Sequence, residues 1–387
     1  MDKCVIVSDS FKGTLSSREI CQIARQAIGQ VFPGCSVRTI PAADGGEGTV
    51  DSFVEAIGAR RVSCTASGPY GEPITAEYAV FGDTAVIEMA ATAGLPLVGS
   101  RRDPTRTTTY GVGEMLLHAV RREGCRHLLL GLGGSCTTDG GCGCAAALGV
   151  KFLDAEGRPF VPTGGSLSRI AAICTDGLDS AFSQADLIAM CDVSIPLCGP
   201  NGSAAVFAPQ KGASVAQVRL LDEGLQNLSE RIRKGLHKEV ENLAGAGAGG
   251  GMGAGCAAFF GAELRSGAEA ILDAAGFSDS LKDTDLVITG EGRVDGQSFR
   301  GKLLSSVLRR TQKAGVPVVI LAGGIGEGAE AAYECGVIAM AAVNRAGLPA
   351  AQLAGRAAED YRNTILDVLR LIRRGEQLAE REAERKQ

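Results

Sequence analysis

Apolar and polar positions alternate in blocks over the first sixty residues, and the blocks read as two β-α units. Lys3–Ser8 is a short apolar run ending in the polar turn Ser8-Asp9-Ser10-Phe11-Lys12-Gly13. Ser16 and Glu19 have capping-box spacing. Behind them Ile20, Ile23, Ala24, Ala27, Ile28 and Val31 recur with the period of one helix face. Pro33-Gly34 ends that helix, and Ser36–Ile40 reads as a second strand. Asp44-Gly45-Gly46-Glu47-Gly48-Thr49 then opens a second helix, with Val50, Phe53, Val54 and Ile57 on one face and Gly58 as its stop.

The last hundred residues repeat this grammar. Asp285–Thr289 is a strand closed by Gly290-Glu291-Gly292-Arg293, and Leu304, Val307 and Leu308 mark the helix after it. Pro317–Leu321 is a strand closed by Gly323-Gly324, and Val337–Val343 is another. Tyr361, Ile365, Val368, Leu369 and Ile372 place an amphipathic helix at the end. Two strands at the start and three at the end, each followed by a helix, make a flavodoxin-like doubly wound parallel sheet from residues 1–60 and 284–387.

Residues 61–283 break the rhythm. Val62–Thr65, Ala76–Val80 and Thr84–Met89 follow one another through tight turns, hence antiparallel pairing. Later apolar runs at 127–132 and 187–191 alternate with helices. The expectation is an inserted mixed-sheet α/β domain, with the active site in the cleft between the two. Residues 244–255 hold seven glycines in twelve positions. Composition reads that tract as a flexible linker or as backbone held close to a ligand or interface.

Composition narrows the chemistry. Glycine supplies 54 of 387 residues, roughly twice ordinary usage. Lys and Arg total 39 against 44 acidic residues, a net charge of −5, which leaves no footprint for nucleic acid. There are 12 Phe, 5 Tyr and no Trp, so stacking platforms are few. No apolar stretch is long enough for a membrane span, and the N-terminal apolar run is too short for a signal peptide. The 13 cysteines are scattered; the cluster Cys136, Cys142, Cys144 lacks a fourth ligand, so the thiols read as neutral or buried and the compartment as cytoplasmic.

Ligands of doubly wound sheets bind beyond the carboxyl ends of the strands. Here those ends carry Asp9, Ser10 and Lys12; Asp44, Gly45 and Gly46; Glu291, Gly292, Arg293 and Asp295; and Gly323 with Gly324. Glycine lets a backbone N–H approach a phosphate oxygen, cations neutralise it, and carboxylates hold magnesium or take a hydroxyl proton. The middle region adds Gly133, Gly134 and Ser135 after the strand at 127–130, Thr108 ahead of a helix, Asp192 at a strand end, and Lys211 in a Pro-Gln-Lys-Gly loop. The stretch Gly296–Lys302 imitates a P-loop but has Leu303 where the magnesium-binding hydroxyl belongs. The dinucleotide fingerprint and hydrolase-triad spacings are missing, which disfavours a nicotinamide oxidoreductase or a hydrolase.

Six segments, Asp9–Gly13, Ala43–Thr49, Ile87–Ala90, Gly133–Ser135, Pro209–Ala213 and Ile288–Arg293, occur in order and together resemble the bacterial type I glycerate kinases. The resemblance implies ATP-dependent phosphorylation of D-glycerate at its 2-hydroxyl, with Mg2+, by a monomer or homo-oligomer. Under it, Lys12 and Arg293 neutralise phosphate or the glycerate carboxylate, amides around Gly133–Ser135 cradle phosphate, and Asp192 or Asp44 handles the acceptor hydroxyl. Glu291 or Asp295 holds the metal through water. A non-catalytic sensor of small hydroxy acids is the alternative from another class. The chain departs from the family pattern at Thr138 and Ile195, where an asparagine is usual in each case.

Overall fold

The computed structural model describes residues 1–11, 13–41, 48–299, 303–348, 352–353 and 355–386. Fourteen strands are formed among them. They are β1 (Lys3–Ser8), β2 (Ser36–Pro41), β3 (Arg60–Ser67), β4 (Pro73–Phe81), β5 (Thr84–Glu88), β6 (His127–Gly131) and β7 (Lys151–Leu153). Then come β8 (Pro159–Phe160), β9 (Ala172–Cys174), β10 (Asp186–Met190), β11 (Glu263–Arg265), β12 (Leu286–Gly290), β13 (Val318–Ala322) and β14 (Val337–Ala342). The chain divides into two compact units: Met1–Asp44 with Glu55–Ile57 and Ala268–Gln387, and Gly45–Val54 with Gly58–Gly267.

The first unit contains a parallel five-stranded sheet in the order β14-β13-β12-β1-β2. Counted along the chain within this sheet the order is 2-1-3-4-5, the flavodoxin arrangement that the strand count predicts. β1 is an interior strand between β12 and β2, pairing Cys4 with Leu286 and with Val37, and its residues Cys4–Val7 are fully buried. A strand covered on both faces is apolar throughout rather than alternating. Cys4 and Ile6 pack on Ile20, Ala24 and Ile28 of the helix Ser17–Val31 and on Tyr361, Ile365 and Leu369 of the helix Ala357–Lys386. The capping box is present: Ser16 Oγ accepts from the Glu19 amide, and the Glu19 carboxylate accepts from the Ser16 amide at 2.8 Å.

The second unit holds a mixed six-stranded sheet, β11-β10-β6-β5-β4-β3. Only β4 runs against its neighbours; β5, β6, β10 and β11 are mutually parallel. Met115, Leu116 and Ala119 of the helix Tyr110–Glu123 seal one core against Tyr78, Ile87 and Leu130. A second core joins Phe152 of the small sheet β8-β7-β9 to Leu221, Leu225 and Leu228 of the helix Val215–Leu236. The small sheet and β11, of two or three residues per strand, have no counterpart in the sequence reading.

The glycine tract is packed backbone. Ala246, Ala248 and Met252 are buried, and Gly249, Gly250 and Gly251 all have positive φ, kinking the helix Ala248–Phe260. A Cβ on Gly250 would lie 1.9 Å from the Thr137 carbonyl oxygen. The linker reading is therefore incorrect: the glycines serve close approach between two backbone segments.

Candidate functional site

In the first unit the strand ends are stitched together by backbone. Gly290, at the end of β12, accepts from the Asp9 amide at 3.0 Å and from Ser8 Oγ at 3.1 Å. The Ser10 amide donates to Asp9 Oδ1 at 2.6 Å, turning the chain as it leaves β1. One loop further, the Gly323 amide donates to the Glu291 carbonyl at 3.2 Å and the Val294 amide to the Gly324 carbonyl at 2.9 Å. A Cβ on Gly323 would stand 2.4 Å from the Gly292 oxygen, so these loops touch only because glycine is present. Arg293 is exposed, with Nε 3.5 Å from Asp295 Oδ2, while Asp295 Oδ1 accepts from the Gln297 amide at 2.9 Å. Asp9, Ser10, Glu291, Gly292, Arg293, Asp295, Gly323 and Gly324 thus share one edge of the unit. Lys12, Asp44, Gly45 and Gly46, and the P-loop-like residues 300–302, lie outside the described residues.

In the second unit the register aligns Glu88, Gly131 and Met190 across β5, β6 and β10. The segments that follow them, including Gly133–Ser135 and Asp192, therefore leave the sheet at the same edge. Gly134 is exposed with φ of 71°. Ser135 pairs with Gly94 through an isolated bridge, so this crest is tied down by its own neighbours. Asp192 is exposed, and its Oδ1 accepts from the Gly267 amide at 3.2 Å. Thr108 Oγ1 accepts from the Tyr110 amide at 3.2 Å, where the helix Tyr110–Glu123 begins. Ile195 is half-buried, and its carbonyl accepts from the Gly247 amide at 2.9 Å.

Lys211 braces the crest, and Asp139 braces the loop that follows it. Lys211 is 3% exposed, and its Nζ donates to Ser135 Oγ at 2.8 Å and to the Thr137 carbonyl at 2.6 Å. Burial brings its ammonium down to about 8, against the partial restoring effect of Cys136 and Asp139. Asp139, absent from the sequence-derived site, is fully buried. Its Oδ2 accepts from the Thr109 amide at 2.7 Å, Thr109 Oγ1 at 2.9 Å and the Gly143 amide at 3.2 Å; its Oδ1 accepts from the Gly141 amide at 3.2 Å. Burial pushes this carboxyl up, and the four donors oppose the shift. Its signal in the sequence was its place between two threonines and two glycines, where a carboxylate can gather the loop's amides.

The thiols play no visible part in this chemistry. Nine of the 13 cysteines are buried, and burial pushes Cys136 up to about 12, far from a reactive thiolate. Among the described residues no group of three His, Cys, Asp or Glu side chains is placed to hold a metal ion. No helix among them is long and apolar enough to cross a membrane.

A doubly wound sheet and a mixed sheet, both ending in glycine loops set with charge, make an α/β protein whose strand ends suit an anionic ligand. The chain belongs to the glycerate kinase family, whose sequence pattern matches residues 4–373. It is 44% identical to a glycerate kinase of Halalkalibacterium halodurans over 340 residues, 87% of this chain and 89% of that protein. It is 40% identical to a Bacillus subtilis glycerate kinase over 96% of this chain and 98% of that one. With the glycerate 2-kinase of Escherichia coli it shares 41% over 88% and 90% of the two chains. A crystal structure assigned to a glycerate kinase 2 from Salmonella typhimurium LT2 superposes with a TM-score of 0.86. That likeness holds at 39% identity and covers 97% of this chain and 99% of the other.

Proposed function

We propose that this chain transfers the terminal phosphoryl group of ATP to D-glycerate, at the 2-hydroxyl, in the cytoplasm. Near full-length similarity to the glycerate 2-kinase of E. coli carries this reading. Phosphoryl transfer asks for positioning and charge neutralisation rather than covalent participation by the protein. In this scheme Lys12 and Arg293 neutralise the phosphates or the glycerate carboxylate, and the Gly133–Ser135 backbone cradles phosphate. Gly292, Gly323 and Gly324 bring further backbone to the ligand. Asp192 or Asp44 orients the acceptor hydroxyl and takes its proton. Magnesium is usually held by one or two carboxylates, with waters and substrate phosphates completing its shell. Glu291 and Asp295 on one loop suit that donor set, and their loop already accepts hydrogen bonds at Asp295 Oδ1. Bound there, the ion would neutralise charge on the transferring phosphate.

A coupled ADP-release assay with D-glycerate, followed by phosphorus NMR of the product, tests the reading. The expected product is 2-phosphoglycerate. Absence of ADP formation across a panel of small hydroxy acids would refute it.

A further inference from the structure

An ammonium has three donors and no lone pair. In the contact between Lys211 Nζ and Ser135 Oγ the serine must therefore accept, and its own hydroxyl proton has to point away from the lysine. Among the described residues nothing receives that proton. Ser135 is buried at 8% exposure but directly follows the exposed Gly134, and Lys211 is more deeply buried at 3%, so the uncommitted donor lies next to the accessible part of the loop. We propose that Lys211 is a positioning residue that never touches the ligand: it locks Ser135 as a hydrogen-bond donor to an anionic oxygen of the substrate. This rests on the phosphoryl-transfer reading above and deepens it.

The device has a pH signature. The groups facing Lys211 are the Cys136 thiol and the Asp139 carboxyl, and the Arg102 guanidinium donates to the neighbouring Gln210 carbonyl at 3.3 Å. Burial lowers Lys211 to about 8 from an ordinary 10.5. Above that value the neutral amine carries a lone pair and can accept from Ser135, which withdraws the donor from the ligand. Ligand affinity should then fall as pH rises through about 8. Stability runs the other way: between the two pKa values the unfolded chain binds more protons, so this group makes folding more favourable as pH rises. An alkaline loss of binding by Lys211 is thereby separable from unfolding.

The experiment measures calorimetric Kd values for ATP and for D-glycerate, each alone, from pH 7 to 9.5. It uses the wild-type chain, Ser135→Ala, Lys211→Met and the double variant, with thermal melts at each pH. At pH 7 the Ser135→Ala chain should bind one of the two ligands about 10- to 100-fold more weakly, the scale of one hydrogen bond to a charged group. The ligand affected tells whether the oxygen is phosphate or carboxylate. Wild type should approach the variant's affinity above pH 8, Ser135→Ala should show no alkaline loss, and the double variant should be no weaker than either single one. Binding of both ligands within twofold of wild type by Ser135→Ala, or an alkaline loss that survives in it, overturns the proposal. If Lys211→Met does not fold, the Ser135→Ala profile decides alone. Wild-type turnover of D-glycerate is followed in parallel. No turnover removes the functional reading and leaves the binding profile to judge the serine; turnover with pH-independent binding removes only the role of Lys211.

Discussion

Thr137 and Thr138 are almost wholly buried, yet neither side-chain hydroxyl has a hydrogen-bond partner among the described residues. A buried hydroxyl left unpaired costs free energy, and an apolar group of the same shape avoids that cost. Thr138→Val should therefore raise the unfolding free energy by about 1 kcal/mol, read as a higher urea midpoint at unchanged m-value. A lower midpoint would mean the hydroxyl is satisfied in solution. Arg293 presents the opposite case, an exposed guanidinium whose only ionic neighbour is Asp295 at 3.5 Å among the described residues. Exposed pairs contribute little to stability, so its charge is available for the substrate. Arg293→Ala should lower kcat/KM by on the order of 10²-fold and leave the melting curve in place. Activity within a few-fold of wild type would take Arg293 out of the site. Burial itself was not legible at this scale. The sequence presents Lys211 as one more cation in a loop, and nothing in Pro-Gln-Lys-Gly reveals that its Nζ lies under Ser135. Asp139 was hidden for the same reason, since its role depends on amides from Thr109 and Gly143 that only the fold brings to it.

Elements were legible wherever their pattern was long. The helix Ser17–Val31 has both a capping box and an apolar stripe, and β1, β12 and β13 are continuous apolar runs of the kind a doubly covered parallel sheet requires. The strands β7, β8, β9 and β11 escaped because two or three residues cannot display a period. The tract 244–255 failed for a different reason: composition records flexibility but is blind to backbone approach. Its consequence is measurable. Gly250 combines φ of 74° with a Cβ position only 1.9 Å from the Thr137 oxygen, so Gly250→Ala must displace the loop that carries Ser135 or break the kink. A loss of about 3 kcal/mol or more is expected. Gly29, inside the helix Ser17–Val31, has nothing within 4 Å of a built Cβ and an ordinary φ. Gly29→Ala should stabilise by about 0.5–1 kcal/mol, the helix-propensity difference. If urea titrations show the two substitutions to be equivalent, the close approach at Gly250 is not a feature of the folded chain.

At the scale of the molecule, the parallel sheet takes its strands from both ends of the sequence. Among the described residues β2 pairs only with β1, and β1 joins it to β12, so residues 268–387 alone would hold three strands with an open apolar edge where Cys4–Val7 belong. An uncovered flat edge of that kind recruits other chains. The second unit draws its six-stranded sheet, its three-stranded sheet and both cores from one continuous stretch. The helix Thr49–Ile57 contributes to it through Phe53, stacked on Phe81 at 5.7 Å, and through the Val50 amide, which donates to Glu88 at 2.8 Å. A fragment of residues 48–267 should accordingly fold by itself, with a single cooperative urea transition and dispersed amide resonances. The fragment 268–387 should be aggregated or unfolded, and should recover structure when residues 1–57 are supplied in trans, because that peptide returns β1 and β2 to the open edge of β12. A non-cooperative 48–267, or a 268–387 that is stably monomeric and folded without its complement, would mean that the division of the cores does not follow the two sheets.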